Sequence, residues 1–165
     1  MKFVKLTALL SLVWTCSLVL SSCEKDSEDR KRLEFSKTAI IMSGAQEAPS
    51  ISSSSALGTM DVNYRRDTKM LNYKITWSGL TGTPTGIGIH GTAPVGYAPY
   101  SSTNWTTPVQ AFTITGMTAS GTLSGSLVVD GFAVKEEDVI NGFYYINIRT
   151  AAYPLGELRG QIKFQ

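Results

Sequence analysis

The stretch that decides the fold is a pair of segments near the end of the chain, residues 144–150, YYINIRT, and residues 156–162, GELRGQI. Each alternates apolar and polar side chains, a period of two that is typical of a β-strand with one buried face. With residues 151–155 as a turn, Ile148 opposes Leu158 and Ile146 opposes Gly160. The pattern therefore predicts an antiparallel hairpin in this register.

The two faces of the predicted hairpin differ in character. One is apolar, and the other carries three opposed pairs: Arg149 with Glu157, Asn147 with Arg159, and Tyr145 with Gln161. Directly opposed charges of opposite sign contribute roughly 0.2–1 kcal/mol in such a ladder. A shift by one residue would mix the faces, so the pattern itself fixes the register. We expect the polar face to be a solvated sheet surface; the alternative is a ligand site.

The rest of the chain from about residue 33 has the same β character. Alternation is clear over residues 60–64 and 71–77, and further strands are expected at residues 38–43, 85–91, 109–114 and 121–129. Helical character is confined to residues 135–141, where Gly142 can end the helix in the left-handed conformation. We predict an all-β domain, an antiparallel sandwich or barrel of about eight strands with one short helix.

The first 22 residues predict a signal peptide. Lys2 and Lys5 precede an uncharged stretch, residues 6–20, which is shorter than the roughly 20 residues that span a bilayer. Residues 20–23, LSSC, resemble a lipobox, in which a cysteine becomes the acylated N-terminus. We therefore expect Cys23 to carry acyl chains such as palmitate, and the alternative is an ordinary secretory signal.

Residues 23–33 are expected to form a flexible, charged tether that leads to a β domain at residues 34–165. Its first half is acidic and resembles a stretch by which some Gram-negative lipoproteins are exported to the outer surface. A solvated spacer explains the same composition. We expect an outer-membrane lipoprotein, either at the cell surface or on the periplasmic side.

Charge and cysteine content exclude some functions. The chain has 15 Lys and Arg against 13 Asp and Glu, and loss of the leader removes Lys2 and Lys5, so the mature chain is close to neutral. This balance gives no reason to expect a nucleic-acid partner. Cys16 is lost with the leader and Cys23 is used for the lipid, so the domain has no cysteine for a disulfide or a metal site.

Five segments together resemble a CHRD domain, the module first named from chordin and common in bacterial secreted proteins. They are SGAQEAP at 43–49, SGLTG at 78–82, IHGTA at 89–93, YINIRTAAYP at 145–154 and GELRGQ at 156–161. The resemblance covers nearly all of residues 38–163. It implies an immunoglobulin-like β-barrel, distantly similar to copper/zinc superoxide dismutase, and it implies no settled activity.

The resemblance also raises the question of a metal. The family pattern often has His-x-His where this chain has Gly88-Ile89-His90, and a third histidine where it has Arg149. Arginine cannot lose its proton to ligate a cation. We therefore expect no metal and no cofactor, and a structural hydrogen-bonding role for His90. A metal-dependent redox enzyme is the disfavoured alternative.

No catalytic residues are expected elsewhere. The serines at 52–55 have no base that the sequence places beside them. The carboxylates Glu136, Glu137 and Asp138 lie in the first turn of the predicted helix, where they favour its positive end. The sequence therefore indicates a protein that is not an enzyme.

The best candidate for a binding surface is the long loop at residues 92–108. Loops longer than about 12–15 residues are often functional, and this one holds Tyr97, Tyr100, Asn104 and Trp105. His90 and the polar hairpin residues Asn147, Arg149, Glu157 and Arg159 are weaker candidates. The expected partner is an envelope protein or a glycan. The alternative, which we favour, is that the rings fold back over the end of the barrel.

Overall fold

The computed structural model describes residues 32–99 and 107–165, and its compact β unit runs Glu34–Gln165. It confirms an all-β fold with eight antiparallel strands and one short α-helix in these residues. The strands are β1 Glu34–Ser43, β2 Leu57–Arg65, β3 Met70–Ser78, β4 Pro84–His90, β5 Gln110–Ala111, β6 Gly121–Val128, β7 Tyr145–Thr150 and β8 Leu158–Gln161, and the helix is α1 Glu136–Ile140.

The strands form one sheet in the order β5-β4-β7-β8-β1-β2-β3-β6, which curls into a nearly closed barrel. Gln110 of β5 links the two edges. Its side-chain oxygen accepts a hydrogen bond from the Tyr73 hydroxyl at 3.1 Å, and its Nε2 donates to the Ser126 carbonyl at 3.1 Å. The bond to Ser126 thus joins the edge strands β5 and β6, and the bond from Tyr73 joins β5 to β3, where a ladder would close a complete barrel.

The interior of the barrel is apolar because the inward face of each long strand is apolar. The strictest alternation is in β2 and β3, whose buried positions are every second residue. The largest fully buried apolar side chains are Trp77, Tyr64, Met42, Met60, Leu71, Ile75, Ile89, Ile146, Ile148, Leu158 and Ile162.

The predicted register of the last hairpin is confirmed. Ile148 pairs with Leu158, and Ile146 pairs with Gly160. The apolar face of the hairpin points into the barrel, as its alternation requires. The ladder ends at Ile148 and Leu158, so Arg149 and Glu157 do not form the opposed pair that was expected beyond it.

Helix α1 ends as the sequence predicts. Gly142 has a φ of +75°, its N–H donates to the Val139 carbonyl at 3.1 Å, and the N–H of Phe143 donates to the Asp138 carbonyl at 2.9 Å. These two bonds form a Schellman motif, which satisfies carbonyl groups that the helix leaves open at its end.

Glu136 in the first turn of α1 ties the helix to the β2–β3 turn. Its carboxylate accepts hydrogen bonds from Tyr64 at 2.7 Å, Arg66 at 2.8 Å and Lys69 at 2.8 Å. Partial burial acts in the opposite direction, but the hydrogen bonds, led by that from Lys69, lower the pKa of Glu136 to about 2. In the described residues, no helix is long and apolar enough to cross a membrane.

Replacing Gly142 by alanine tests the helix end. A Cβ there would lie 3.1 Å from the Ile162 carbonyl oxygen, and the left-handed backbone is itself unfavourable for alanine. We expect Gly142→Ala to lower the free energy of unfolding in urea by about 1–2 kcal/mol. Gly82→Ala is the control, since a Cβ at Gly82 has open space around it. Equal stabilities of the two variants would contradict this assignment.

Candidate functional site

The polar face of the β7–β8 hairpin lies on the outside of the barrel, and it is buried. The exposed fractions are 4% for Asn147, 0% for Glu157, 1% for Arg159 and 2% for Gln161. The expectation of a solvated face is therefore wrong. None of these four side chains is exposed to an external ligand.

Two segments cover this face. Residues 44–56 follow β1 and begin with a 3-10 turn at Gly44–Gln46, while residues 91–99 follow β4. Backbone groups that face a sheet surface lose water and need partners in the protein. For the 91–99 segment Arg159 and Gln161 provide these partners, whereas toward residues 44–56 the hairpin side chains bond other polar side chains.

Arg159 of β8 holds the 91–99 segment. Its Nη1 donates to the Tyr97 carbonyl at 2.8 Å, and its Nη2 donates to the Pro94 carbonyl at 3.1 Å and to Gln161 Oε1 at 2.9 Å. The guanidinium also lies 3.7 Å from the centre of the Tyr145 ring, within cation–π range. One buried cation therefore fixes two carbonyl groups of the segment.

Gln161, the last residue of β8, also bonds backbone carbonyls around the 91–99 segment. Its Nε2 donates to the Ala93 carbonyl at 2.8 Å and to the Gly142 carbonyl at 2.7 Å. Because the second of these carbonyls follows α1, Gln161 joins the 91–99 segment to the helix end.

Glu157 holds the 44–56 segment. Its carboxylate accepts hydrogen bonds from Ser54 Oγ at 2.6 Å, from the Thr81 N–H and hydroxyl at 2.8 and 2.9 Å, and from Thr150 Oγ1 at 2.5 Å. Burial alone would raise the pKa of Glu157, but these donors lower it below its ordinary value. Glu157 is thus an ionised anchor for the 44–56 segment.

Glu47 reaches from the 44–56 segment to Asn147, whose Nδ2 lies 2.9 Å from both carboxylate oxygens. Gly156 lies against this pair, and a Cβ there would clash with both side chains. Burial raises the pKa of Glu47 to about 8, against the opposing effects of the charge on Arg159 and the hydrogen bond from Asn147. Glu47 therefore holds a proton at neutral pH.

His90 and Arg149 lie side by side on β4 and β7. Arg149 Nη2 is 3.2 Å from His90 Nε2, and Arg149 Nε is 3.4 Å from Asn147 Oδ1. Since arginine has only donors, His90 Nε2 is the acceptor and its proton lies on Nδ1. The imidazole also stacks on the Tyr145 ring, with the ring centres 5.5 Å apart.

This geometry does not fit a copper or zinc ion. The Nε2 of His90 faces a permanent cation, and Gly88 has no side chain to contribute. Within residues 32–99 and 107–165, no three His, Cys, Asp or Glu side chains are grouped so that they could hold a metal ion.

The structure places the expected site residues in different environments. Asn147, Glu157, Arg159 and His90 belong to the buried layer, whereas the Tyr97 side chain is 67% exposed. For Tyr97 the idea that the ring folds back over the barrel is therefore wrong. Cys23, Tyr100, Asn104 and Trp105 lie outside the described residues.

Sequence reasoning missed Glu47 and Thr81 as parts of this layer. Gln161 was placed on the polar face, because it follows Arg159 by two positions, but it was not named as a candidate site residue. Glu47 and Thr81 lie outside the long alternating segments, and only the folded chain brings them to the hairpin.

The fold and the buried layer define an antiparallel all-β domain whose polar side chains bind its own loops. The chain belongs to the CHRD domain family, whose model matches residues 38–162. All five segments that resembled the family lie within this match. Comparison with curated proteins and with solved structures gave no match.

Replacing Glu47 by glutamine tests the proton on this carboxyl group. A folded-state pKa of about 8 against an ordinary value of 4.5 means that the folded protein binds the extra proton between these pH values. The contribution of this proton to the free energy of unfolding is complete below about pH 4.5 and is lost as the pH rises through 8. The slope is up to about 1.4 kcal/mol per pH unit.

We expect Glu47→Gln to remove this fall when urea unfolding is measured between about pH 5 and pH 8. Glu137→Gln changes an exposed carboxylate on α1 and should keep the wild-type slope. The same slope in Glu47→Gln as in the wild type would show that Glu47 is ionised when folded.

Proposed function

We propose that this protein is a lipid-anchored module of the cell envelope that binds a protein or a glycan through the 92–108 loop, and that it is not an enzyme. The observation that carries the proposal is the attachment of the described first part of this loop, residues 92–99. Arg159 of β8 bonds the Pro94 and Tyr97 carbonyls from the side of the hairpin, while Tyr97 itself is mostly exposed to solvent.

Such an attachment suits binding because it holds residues 92–99 in place before a partner arrives. A segment that is already ordered loses less conformational entropy when it binds a partner. Tyrosine is also enriched among residues that dominate binding energy, since its ring gives a large contact area with few rotatable bonds. Val95, which is also exposed, adds apolar area beside Tyr97.

The bonding of the buried layer favours a non-enzymatic role. Glu157 accepts four hydrogen bonds, and Glu47 is protonated and bound to Asn147. A general base needs an accessible ionised group within reach of a substrate proton. Glu157 and Glu47 are instead hydrogen-bonded to other side chains of the protein, so neither is positioned to take a proton from a substrate.

The position of β1 is compatible with an anchor at Cys23. The strand begins at Glu34, so residues 23–33 would form the link to the lipid. Fully extended, such a link spans at most about 40 Å. The acyl chains would hold the domain close to the membrane, and stable attachment takes two or more such signals.

The proposal is tested in two parts. Growth of the native host with labelled palmitate should label the wild type and leave Cys23→Ala unlabelled and outside the membrane fraction. The soluble Cys23→Ala protein then serves as a probe for binding to isolated envelopes. Adding Tyr97→Ala should weaken this binding at least about tenfold, a loss of roughly 1.4 kcal/mol.

Phe132→Ala is the matched control, since Phe132 is an aromatic residue in another loop with 89% of its surface exposed. It should leave binding unchanged. Acylation that persists in Cys23→Ala would refute the anchor. Equal binding by the Tyr97→Ala and Phe132→Ala probes would refute the loop as the binding surface.

A further inference from the structure

One end of the barrel is defined by a single row of paired residues. Glu34 of β1 pairs with Arg65 of β2. Arg65 pairs in turn with Met70 of β3, and Met70 pairs with Val128 of β6. The start of β1 therefore lies at the same end as the loop that follows β6, residues 129–135. We call this the entry end, because β1 enters the barrel there.

The loop at residues 129–135 is fixed by its own hydrogen bonds. Asp130 Oδ1 accepts hydrogen bonds from the N–H groups of Phe132 at 2.8 Å and Val134 at 3.0 Å. Gly131 has a φ of +81°, which glycine adopts readily, and its N–H donates to the Val134 carbonyl at 2.9 Å. The bonds from Val134 and Phe132 lower the pKa of Asp130, so it holds the loop as a carboxylate.

The side chains of this loop face different surroundings. Val134 is buried in the core, and the Tyr144 hydroxyl donates to the Ala133 carbonyl at 3.2 Å. Phe132 is 89% exposed, the largest value among the exposed large apolar side chains of the described residues, and Val128 is exposed at the same end. Because the backbone is held on both sides, the Phe132 ring stays in water unless something outside the domain covers it.

Three cations of the entry end are already paired with carboxylates. Arg65 bonds Asp67 at 2.6 Å, while Arg66 and Lys69 both bond Glu136 at 2.8 Å. Their charges are compensated within the protein, so attraction to anionic lipids is not what this end offers to a membrane. It offers exposed apolar side chains, which bury themselves at the boundary between lipid head groups and acyl chains.

We propose that the entry end rests on the membrane surface, with the Phe132 ring inserted at the boundary between head groups and acyl chains. This inference rests on the lipid anchor of the proposed function. The link from Cys23 joins the domain at Glu34, so the anchor brings the entry end to the bilayer first. The acyl chains supply the affinity for the membrane, and the ring sets the orientation of the domain on it.

One ring cannot hold an unanchored domain at a membrane. A single myristoyl chain gives only marginal, reversible binding, and a phenyl ring buries less apolar surface than such a chain. The soluble Cys23→Ala protein is therefore not retained by Phe132, which stays a suitable control residue for the Tyr97 test.

A spin label at a single cysteine tests this orientation in the lipidated mature protein, reconstituted in phosphatidylcholine vesicles. Ala133→Cys places the label beside the ring, since Ala133 is exposed. Acylation blocks Cys23, and loss of the leader removes Cys16, so the label has one site. Electron paramagnetic resonance then compares the access of dissolved oxygen, which concentrates in lipid, with the access of a water-soluble nickel chelate.

Leu155→Cys is the control position for the label. Leu155 is exposed in the β7–β8 turn, and the pairing of Ser43 with Arg159 places this turn at the opposite end of the barrel from Glu34. The ratio of oxygen access to nickel access should be at least about threefold larger at residue 133 than at residue 155.

Phe132→Ser, combined with the label at residue 133, should lower this ratio to the value found at residue 155. Ile51→Ser is the matched control, since it removes an apolar side chain, 74% exposed, from the 44–56 segment. It should leave the ratio at residue 133 unchanged.

The outcomes separate this inference from the proposed function. Protein that fails to float with the vesicles refutes the lipid anchor, and this inference with it. Protein that floats with equal ratios at residues 133 and 155 overturns the orientation alone. A high ratio at residue 133 that persists in Phe132→Ser, or that falls equally in Ile51→Ser, overturns the function of the ring.

Discussion

The structure depends on one constraint: chain segments that lie against the outside of a sheet bury backbone carbonyl groups, and each of these needs a donor. Strand β8 supplies the donors for the 91–99 segment. Arg159 and Gln161 together bond the carbonyls of Ala93, Pro94 and Tyr97. An apolar side chain at either position would leave such carbonyls unsatisfied, at roughly 1–3 kcal/mol each.

This constraint gives the domain two layers with different chemistry. Inside the barrel, the aliphatic side chains pack without directional bonds, so many sequences of similar volume would serve there. Between the hairpin and its covering segments, the polar side chains bond particular partners, with Arg159 Nε as a buried exception, and the layer fixes where the loops lie. The raised pKa of Glu47 is a consequence, since its burial is favourable only with a proton. The presentation of Tyr97 depends on the same layer.

Much of the fold could be predicted because the alternation of apolar and polar residues, with a period of two, shows which side chains share one face of a strand. The register of the last hairpin, the strands β2 and β3, and the end of α1 at Gly142 follow from local pattern. The start of β1 was missed because a bulge at Ala39, with a φ of +55°, interrupts its alternation. Strand β5 proved far shorter than residues 109–114, since regular pairing there stops after Ala111.

The site could be predicted only in part. Alternation showed that Asn147, Glu157 and Arg159 share a face, but it carries no information on what covers that face. The cover comes from residues about 60 to 110 positions earlier, such as Glu47 and Tyr97, whose contacts depend on the closed barrel. Gly86 and Arg149 are likewise neighbours only through the pairing of β4 with β7, which was not deducible from either segment alone.

Hydrogen exchange of backbone amides, compared between the wild type and Arg159→Met, tests most directly whether β8 holds the 91–99 segment. The account predicts that the amides of Ala93 and Tyr97, which bond the Phe143 and Pro94 carbonyls, exchange at least about tenfold faster in the variant. Amides of the β2–β3 ladder should change much less. Unchanged exchange at Ala93 and Tyr97, or an equal increase throughout the barrel, would contradict the account.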